Sequence, residues 1–201
     1  LNATLFSTYF GGSGDDACFV SAINPLNGDI YVGGATTSNT LPGNTTGVIS
    51  GTFNGGISDG FVTAIRPDGS ATIKTTFLGT SGTDMLYGLK FDRSGFPYVM
   101  GTTTGAWPVI NAAFVNPGSG QFISKLRPDL SAMIYSTVFG TGGFQPNISP
   151  IAFLVDRCEN VYVSGWENNG TYSVAKYWKN GVPVNIGSAV LNSSGNAIIV
   201  R

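Results

Sequence analysis

Carboxylates are the first place to look for chemistry, because the chain contains no histidine. Without imidazole there is no Ser-His-Asp or Cys-His machinery and no His-ligated zinc. The two cysteines, Cys18 and Cys158, are too few and too far apart for a Cys-rich metal site. No Gly-rich phosphate loop with its lysine occurs. The best motif is Gly11-Gly12-Ser13-Gly14-Asp15-Asp16, which matches the G-G-x-G-x-D half of the calcium-binding nonapeptide. Such sites depend on copies stacked at a period of about nine residues. Here the second copy, Gly79-Thr80-Ser81-Gly82-Thr83-Asp84, comes 68 residues later (84 − 16), and the third, Gly140-Thr141-Gly142-Gly143, has no aspartate. A turn whose aspartate caps main-chain N–H groups accounts for the same residues. Asp15, Asp16 and Asp84 are also the carboxylates a glycosidase would have to pair, yet they recur where the turn recurs, as structural residues do. Trp107 and Trp166 lie beside loops. They could stack on sugar rings or anchor a partner, but burial between packed sheets is the favoured expectation, because Trp supplies large apolar area. No catalytic, metal-ligating or cofactor-binding residue is assigned, and no cofactor is expected.

The elements that must position these residues are repeated. Phe61 to Asp84 returns 61 residues later (122 − 61) as Phe122 to Gly143, with Arg66-Pro67-Asp68 answering Arg127-Pro128-Asp129. Each copy is an apolar run, a turn built on Pro and Asp, and a second apolar run, which is a hairpin. A second hairpin recurs three times: Cys18–Ile23 with Ile30–Gly34, Leu86–Phe91 with Tyr98–Gly101, and Ile151–Val155 with Val161–Gly165. Polar loops from about Ala35 to Ser58 and from Thr102 to Gly120 join the two hairpins, and Leu41-Pro42 in the first answers Trp107-Pro108 in the second. In the third unit the long loop is missing, so Tyr172–Trp178 follows almost at once and turns into Val182–Ile186.

Four-stranded antiparallel units in tandem are expected to be blades of a β-propeller, an all-β fold. The expected units are a closing strand (1–12, with its strand over Leu5–Phe10), then 13–79, 80–140 and 141–187. Residues 188–201 begin a further unit, a hairpin of Ala189–Leu191 and Asn196–Val200. Propellers close with about four to eight blades, so three units make an incomplete ring. Apolar residues such as Val190, Ile198 and Ile199 are then expected to need cover from other blades of a parent chain or from another protein chain.

Composition narrows the function. Charged residues make up 10% of the 201, and 29 glycines accompany many Thr, Ser and Asn, which favours strands and tight turns over helices. With a net charge of −1 there is no basic face for nucleic acid. No apolar run is long enough for a membrane span, and no signal peptide is expected among these residues. The start at Leu1 is expected of a processed or excised segment. A nearly uncharged surface suits an extracellular protein. Cys18 is expected to be a small buried hydrophobe rather than half of a disulfide with Cys158, and chance explains most of the five Asn-x-Ser/Thr sequons.

Several motifs together carry a resemblance. GGSGDD, the Tyr-Val-x-Gly strand with its Thr-Thr, the Phe-Val/Ile-x-Ala/Lys-Ile/Leu-x-Pro strand and the Ser-Thr-Tyr/Val-Phe-Gly closing strand resemble the SBBP family of bacterial β-propeller repeats over roughly residues 4–143. The segment Asp156–Trp166 (DRCENVYVSGW) is similar to one found in large surface proteins of gliding bacteria exported by the type 9 secretion system. The tail from Tyr177 resembles a different propeller repeat. The resemblance implies an extracellular or cell-surface, non-catalytic module with an adhesion-type role, with secretion machinery or surface glycans as partners; it supplies no ligand. A carbohydrate-binding propeller is the alternative, and a propeller glycosidase or lyase a third.

Overall fold

A computed structural model describes residues 6–140 and 152–199. Those residues form twelve strands and no helix, so none crosses a membrane as a long apolar helix. The strands are β1 (Asp16–Ile23), β2 (Ile30–Thr36), β3 (Asp59–Ile65), β4 (Thr72–Leu78), β5 (Asp84–Phe91), β6 (Pro97–Thr103), β7 (Gln121–Leu126), β8 (Met133–Phe139), β9 (Ala152–Val155), β10 (Val161–Asn168), β11 (Ser173–Lys179) and β12 (Val182–Asn185). They make three antiparallel four-stranded sheets: β1 to β4, β5 to β8, and β9 to β12, each in simple chain order.

The sheets stack face to face, and the alternation of side chains along each strand builds two cores. Between the first and second sheets lie Tyr31, Val62 and Leu78 against Leu86, Leu89, Phe122 and Leu130. Between the second and third lie Tyr98, Met100, Ile123 and Phe139 against Phe153, Val163 and Trp178. Phe122 and Ile123 are neighbours on β7 and face opposite cores, so the middle sheet is buried on both sides. Each such side chain contributes about 1.5–3 kcal/mol by leaving water. Close approach depends on missing Cβ atoms at two places. A Cβ on Gly33 would sit 2.4 Å from Leu86 Cδ2, and one on Gly88 would sit 2.8 Å from the Phe153 ring.

Three sequence expectations fail, each for want of a partner. Residues 6–10 are not a strand, because among the described residues no neighbouring backbone offers them a ladder (Leu5 lies outside the described residues). They pack instead on the outer face of the first sheet, with Phe10 stacked on Phe61 at 5.4 Å and Phe6 against Gly69. Residues 189–199 form no hairpin, and Val200 is outside the described residues. Their polar groups bond the third sheet: the Ser193 N–H donates to the Ser173 carbonyl at 2.7 Å and the Gly195 N–H to the Gly165 carbonyl at 3.0 Å. Val190, Leu191 and Ile199 are exposed, whereas Ile198 is half-buried. Cys18 is exposed rather than buried, since the face of β1 that carries it is uncovered; both it and Cys158 are free thiols.

Candidate functional site

The glycine-rich turns lead the first two sheets, and their aspartates are held in place by their own loops. Asp16 Oδ2 accepts the Gly12 N–H at 2.7 Å and the Ser38 hydroxyl at 3.0 Å, and Oδ1 accepts the Thr36 hydroxyl at 2.5 Å. Asp84 Oδ2 accepts the Thr80 N–H at 2.6 Å and the Thr80 hydroxyl at 2.9 Å. In both turns one hydroxyl also takes a glycine N–H: Ser38 from Gly14 at 2.8 Å, Thr80 from Gly82 at 3.0 Å. In both, the next N–H is taken by a threonine, Thr37 under Asp15 and Thr104 under Thr83, at 2.8 and 2.7 Å. The turn is a repeated cap. Asp15 itself is exposed.

The two caps differ at one atom. Thr103 stands opposite Asp84 as Thr36 stands opposite Asp16, but the Thr103 hydroxyl points to the Gly105 carbonyl. Asp84 Oδ1 is left buried without a partner. Asp59, at the start of β3, is in the same condition. Its Oδ2 accepts the Asn54 N–H at 2.6 Å and the Asn54 amide at 3.1 Å, while its Oδ1 is buried and unpartnered. Both residues are 0% exposed. Burial pushes the Asp59 carboxyl up to about 6; the Asn54 bonds work against that shift and the Asp84 charge adds to it. The two carboxylates flank the Gly79–Thr80 peptide: a Cβ on Gly79 would touch the Asp59 carboxylate, and Thr80 is the residue bound by Asp84.

The tryptophans occupy different surroundings. Trp107 is 6% exposed and stacks on Phe122 with ring centres 3.5 Å apart. Its indole N–H lies 3.2 Å from the Ser124 hydroxyl and 3.0 Å from that of Ser136. Beside it opens an apolar cleft of about 610 Å³, lined by Trp107 with Val109, Val115, Pro117 and Val138. Trp166 is half-buried on β10 and borders a smaller cavity of about 260 Å³ with Ser173, Asn192, Ser193 and Ser194.

At the opposite end of the sheets from the long loops, Lys125 joins the second and third sheets. Its ammonium lies 3.0 Å from Asp92 Oδ2 and 2.6 Å from Glu159 Oε2, above the rings of Phe96 and Tyr98. Burial pulls the Lys125 pKa down, but the bonds to Glu159, Tyr98 and Asp92 outweigh it and hold the pKa above its ordinary value. Burial likewise pushes the Tyr98 hydroxyl up to about 12. Sequence reasoning missed both Asp59 and this cluster. The signal available was the lone Asp before the Phe61 strand, a carboxylate at the start of an otherwise apolar run. No protein-family model matches the chain, and no curated protein matches its sequence.

Proposed function

We propose that the three sheets are blades of a β-propeller in an extracellular, surface-attached or secreted bacterial protein, with a non-catalytic, adhesion-type binding role. What supports the propeller is that successive sheets repeat their contacts as well as their strand order. The Thr63 and Thr75 hydroxyls pair at 2.9 Å in the first sheet, as those of Ser124 and Ser136 do at 2.8 Å in the second. The second hydroxyl of each pair donates to a loop proline carbonyl, Pro42 or Pro108. Such repetition of one unit against the next is the logic of a radial array. Images of the purified native protein test this: sheets arranged radially about a common axis are expected, and a linear stack of sheets would overturn the proposal.

Binding is assigned to the Trp107 cleft. Its lining is almost wholly apolar, so it suits an apolar side chain of a partner protein better than a sugar, whose hydroxyls would be left unpaired. Val109 is 46% exposed at the cleft. Val109→Glu is expected to abolish attachment of the protein to its target surface without lowering its melting temperature, and unchanged attachment would remove the cleft from the reading. The carbohydrate-binding alternative is favoured at one place only, where Trp166 meets Asn192 and the serines around it. A glycan array with wild type and Trp166→Ala decides between them. A screen against glycosidic and ester substrates should show no turnover, and hydrolysis lost in Asp16→Ala/Asp84→Ala would make the chain an enzyme.

A further inference from the structure

Among the described residues, two fully buried aspartates each carry an oxygen with no partner, and the two residues lie on either side of one peptide. Neither takes part in an ion pair: the lysines that do, Lys125 and Lys176, bind Asp92, Glu159 and Glu167. Burying one uncompensated carboxylate is unfavourable, and burying two near each other is more so. The same position in the first sheet shows the closed version of this arrangement. There Thr36 and Ser38 complete Asp16, and every oxygen has a protein donor. In the second sheet Thr80 supplies the hydroxyl to Oδ2 that Ser38 supplies in the first, but Thr103 is turned away, so Asp84 Oδ1 stays open.

From this geometry we infer that Asp59 Oδ1 and Asp84 Oδ1 hold one hard divalent cation, calcium, at the seam between the first two sheets. Carboxylate oxygens are the ligands calcium prefers, with carbonyls and water filling the rest of a flexible shell of about six to eight. Asn54, whose N–H and amide bind Oδ2 of Asp59 and leave Oδ1 open, is itself exposed on the loop before β3. Two carboxylates, with carbonyls and water left to complete the shell, suit an affinity of about 10⁻⁴ to 10⁻³ M, the range of extracellular calcium modules. Magnesium, which demands a rigid octahedron, is the poorer fit. The glycine-rich turn at Gly11–Asp16 is excluded although it carries the calcium-like motif, because its aspartate is already satisfied.

The test is thermal unfolding of the whole 201-residue chain in chelator, in about 10 mM calcium chloride and in the same concentration of magnesium chloride. For a site of about 1 mM affinity, calcium raises the melting temperature of the wild type by about 3–5 °C. Magnesium gives less. Asp59→Asn and Asp84→Asn lose the calcium shift, and Asp16→Asn keeps it. Isothermal titration of the wild type with calcium, expected to give one site, carries the test if either variant fails to fold. The inference is overturned by equal melting temperatures in chelator and calcium, by a shift that survives both variants, or by a shift lost in Asp16→Asn. A wild type stabilised by acid but indifferent to calcium would place a shared proton between the two carboxylates instead.

Discussion

In the first sheet the hydroxyl that serves the aspartate of the leading turn comes from Ser38, on the loop after β2; in the second it comes from Thr80, within the turn itself. The partner position is glycine each time. A Cβ on Gly12 would sit 2.7 Å from the Ser38 Cβ, and one on Gly105 would sit 2.1 Å from the Thr80 hydroxyl. Oδ2 of each aspartate has room for one hydroxyl, and either side of the turn can supply it but not both. The comparison extends along the sheets. Leu41 packs with Phe61 where Trp107 stacks on Phe122. Gly69 and Leu130 close the same turn with φ of 72° and 59°. Beside Gly69 sits the ring of Phe6, while Leu130 carries its own side chain into the core. What repeats is the interaction and the space it occupies, rather than the residue.

Exchanging residues between the sheets tests this. The largest effect is expected from Trp107→Leu, which gives the second sheet the residue of the first. Ser124 and Ser136 keep each other as partners, so the loss is indole area and the cavity left behind, about 3 kcal/mol. Denaturant unfolding measures it, and a loss under about 1 kcal/mol would mean the stack on Phe122 contributes little.

Leu130→Gly comes next, because two effects oppose. Glycine relieves a left-handed backbone worth about 1 kcal/mol, but the change empties a fully buried leucine site worth about 3 kcal/mol. A net loss of about 2 kcal/mol is expected. A stabilised variant would show that backbone strain, and not packing, dominates that turn.

The hydroxyl exchange is smaller and more specific. Thr80→Gly removes one charge-assisted bond to Asp84, about 1–2 kcal/mol, and Gly105→Ser alone crowds Thr80 by a comparable amount. Together they recreate the arrangement of the first sheet, so the double variant should lie within about 0.5 kcal/mol of wild type. Simple additivity in the double-mutant cycle would dissolve the equivalence of the two turns.

The strands and their turns could be read from the sequence because both depend on local signals. Apolar runs bounded by Pro-Asp-Gly or Asn-Pro-Leu-Asn-Gly specify a hairpin wherever they occur. The segments 6–10 and 189–199 carry the same apolar pattern, but strand pairing also requires a neighbour to supply the ladder, and no local pattern reports that. Phe10 therefore lies on Phe61 with its apolar role kept and its strand lost. Asp59 and Lys125 escaped for a related reason. Their burial is created by the stacking of one sheet on the next, between residues as far apart as Lys125 and Glu159. Asp16, whose partners all lie within its own unit, was legible as a cap from the motif alone.

The smallest effect concerns pH, and it separates Asp59 from the aspartates of the hairpin turns. In chelator, the Asp59 carboxyl titrates near 6 in the folded chain, against 3.8 for an ordinary aspartate. The folded state thus binds this proton more tightly than the unfolded state, and stability falls as pH rises from about 4 to 6. Asp68, Asp129 and Asp156 behave oppositely. Bonds from Ser70, Ser131 and Asn160 hold their carboxyls below the ordinary value, so they contribute only above it and are lost at more acid pH. The two windows do not overlap. The melting temperature in chelator should therefore pass through a maximum near pH 4 and decline towards pH 6. In Asp59→Asn that decline should flatten, while the loss on the acid side stays. A decline of wild-type size in Asp59→Asn would move its origin to another carboxylate, with Asp84 the first to test by the same substitution.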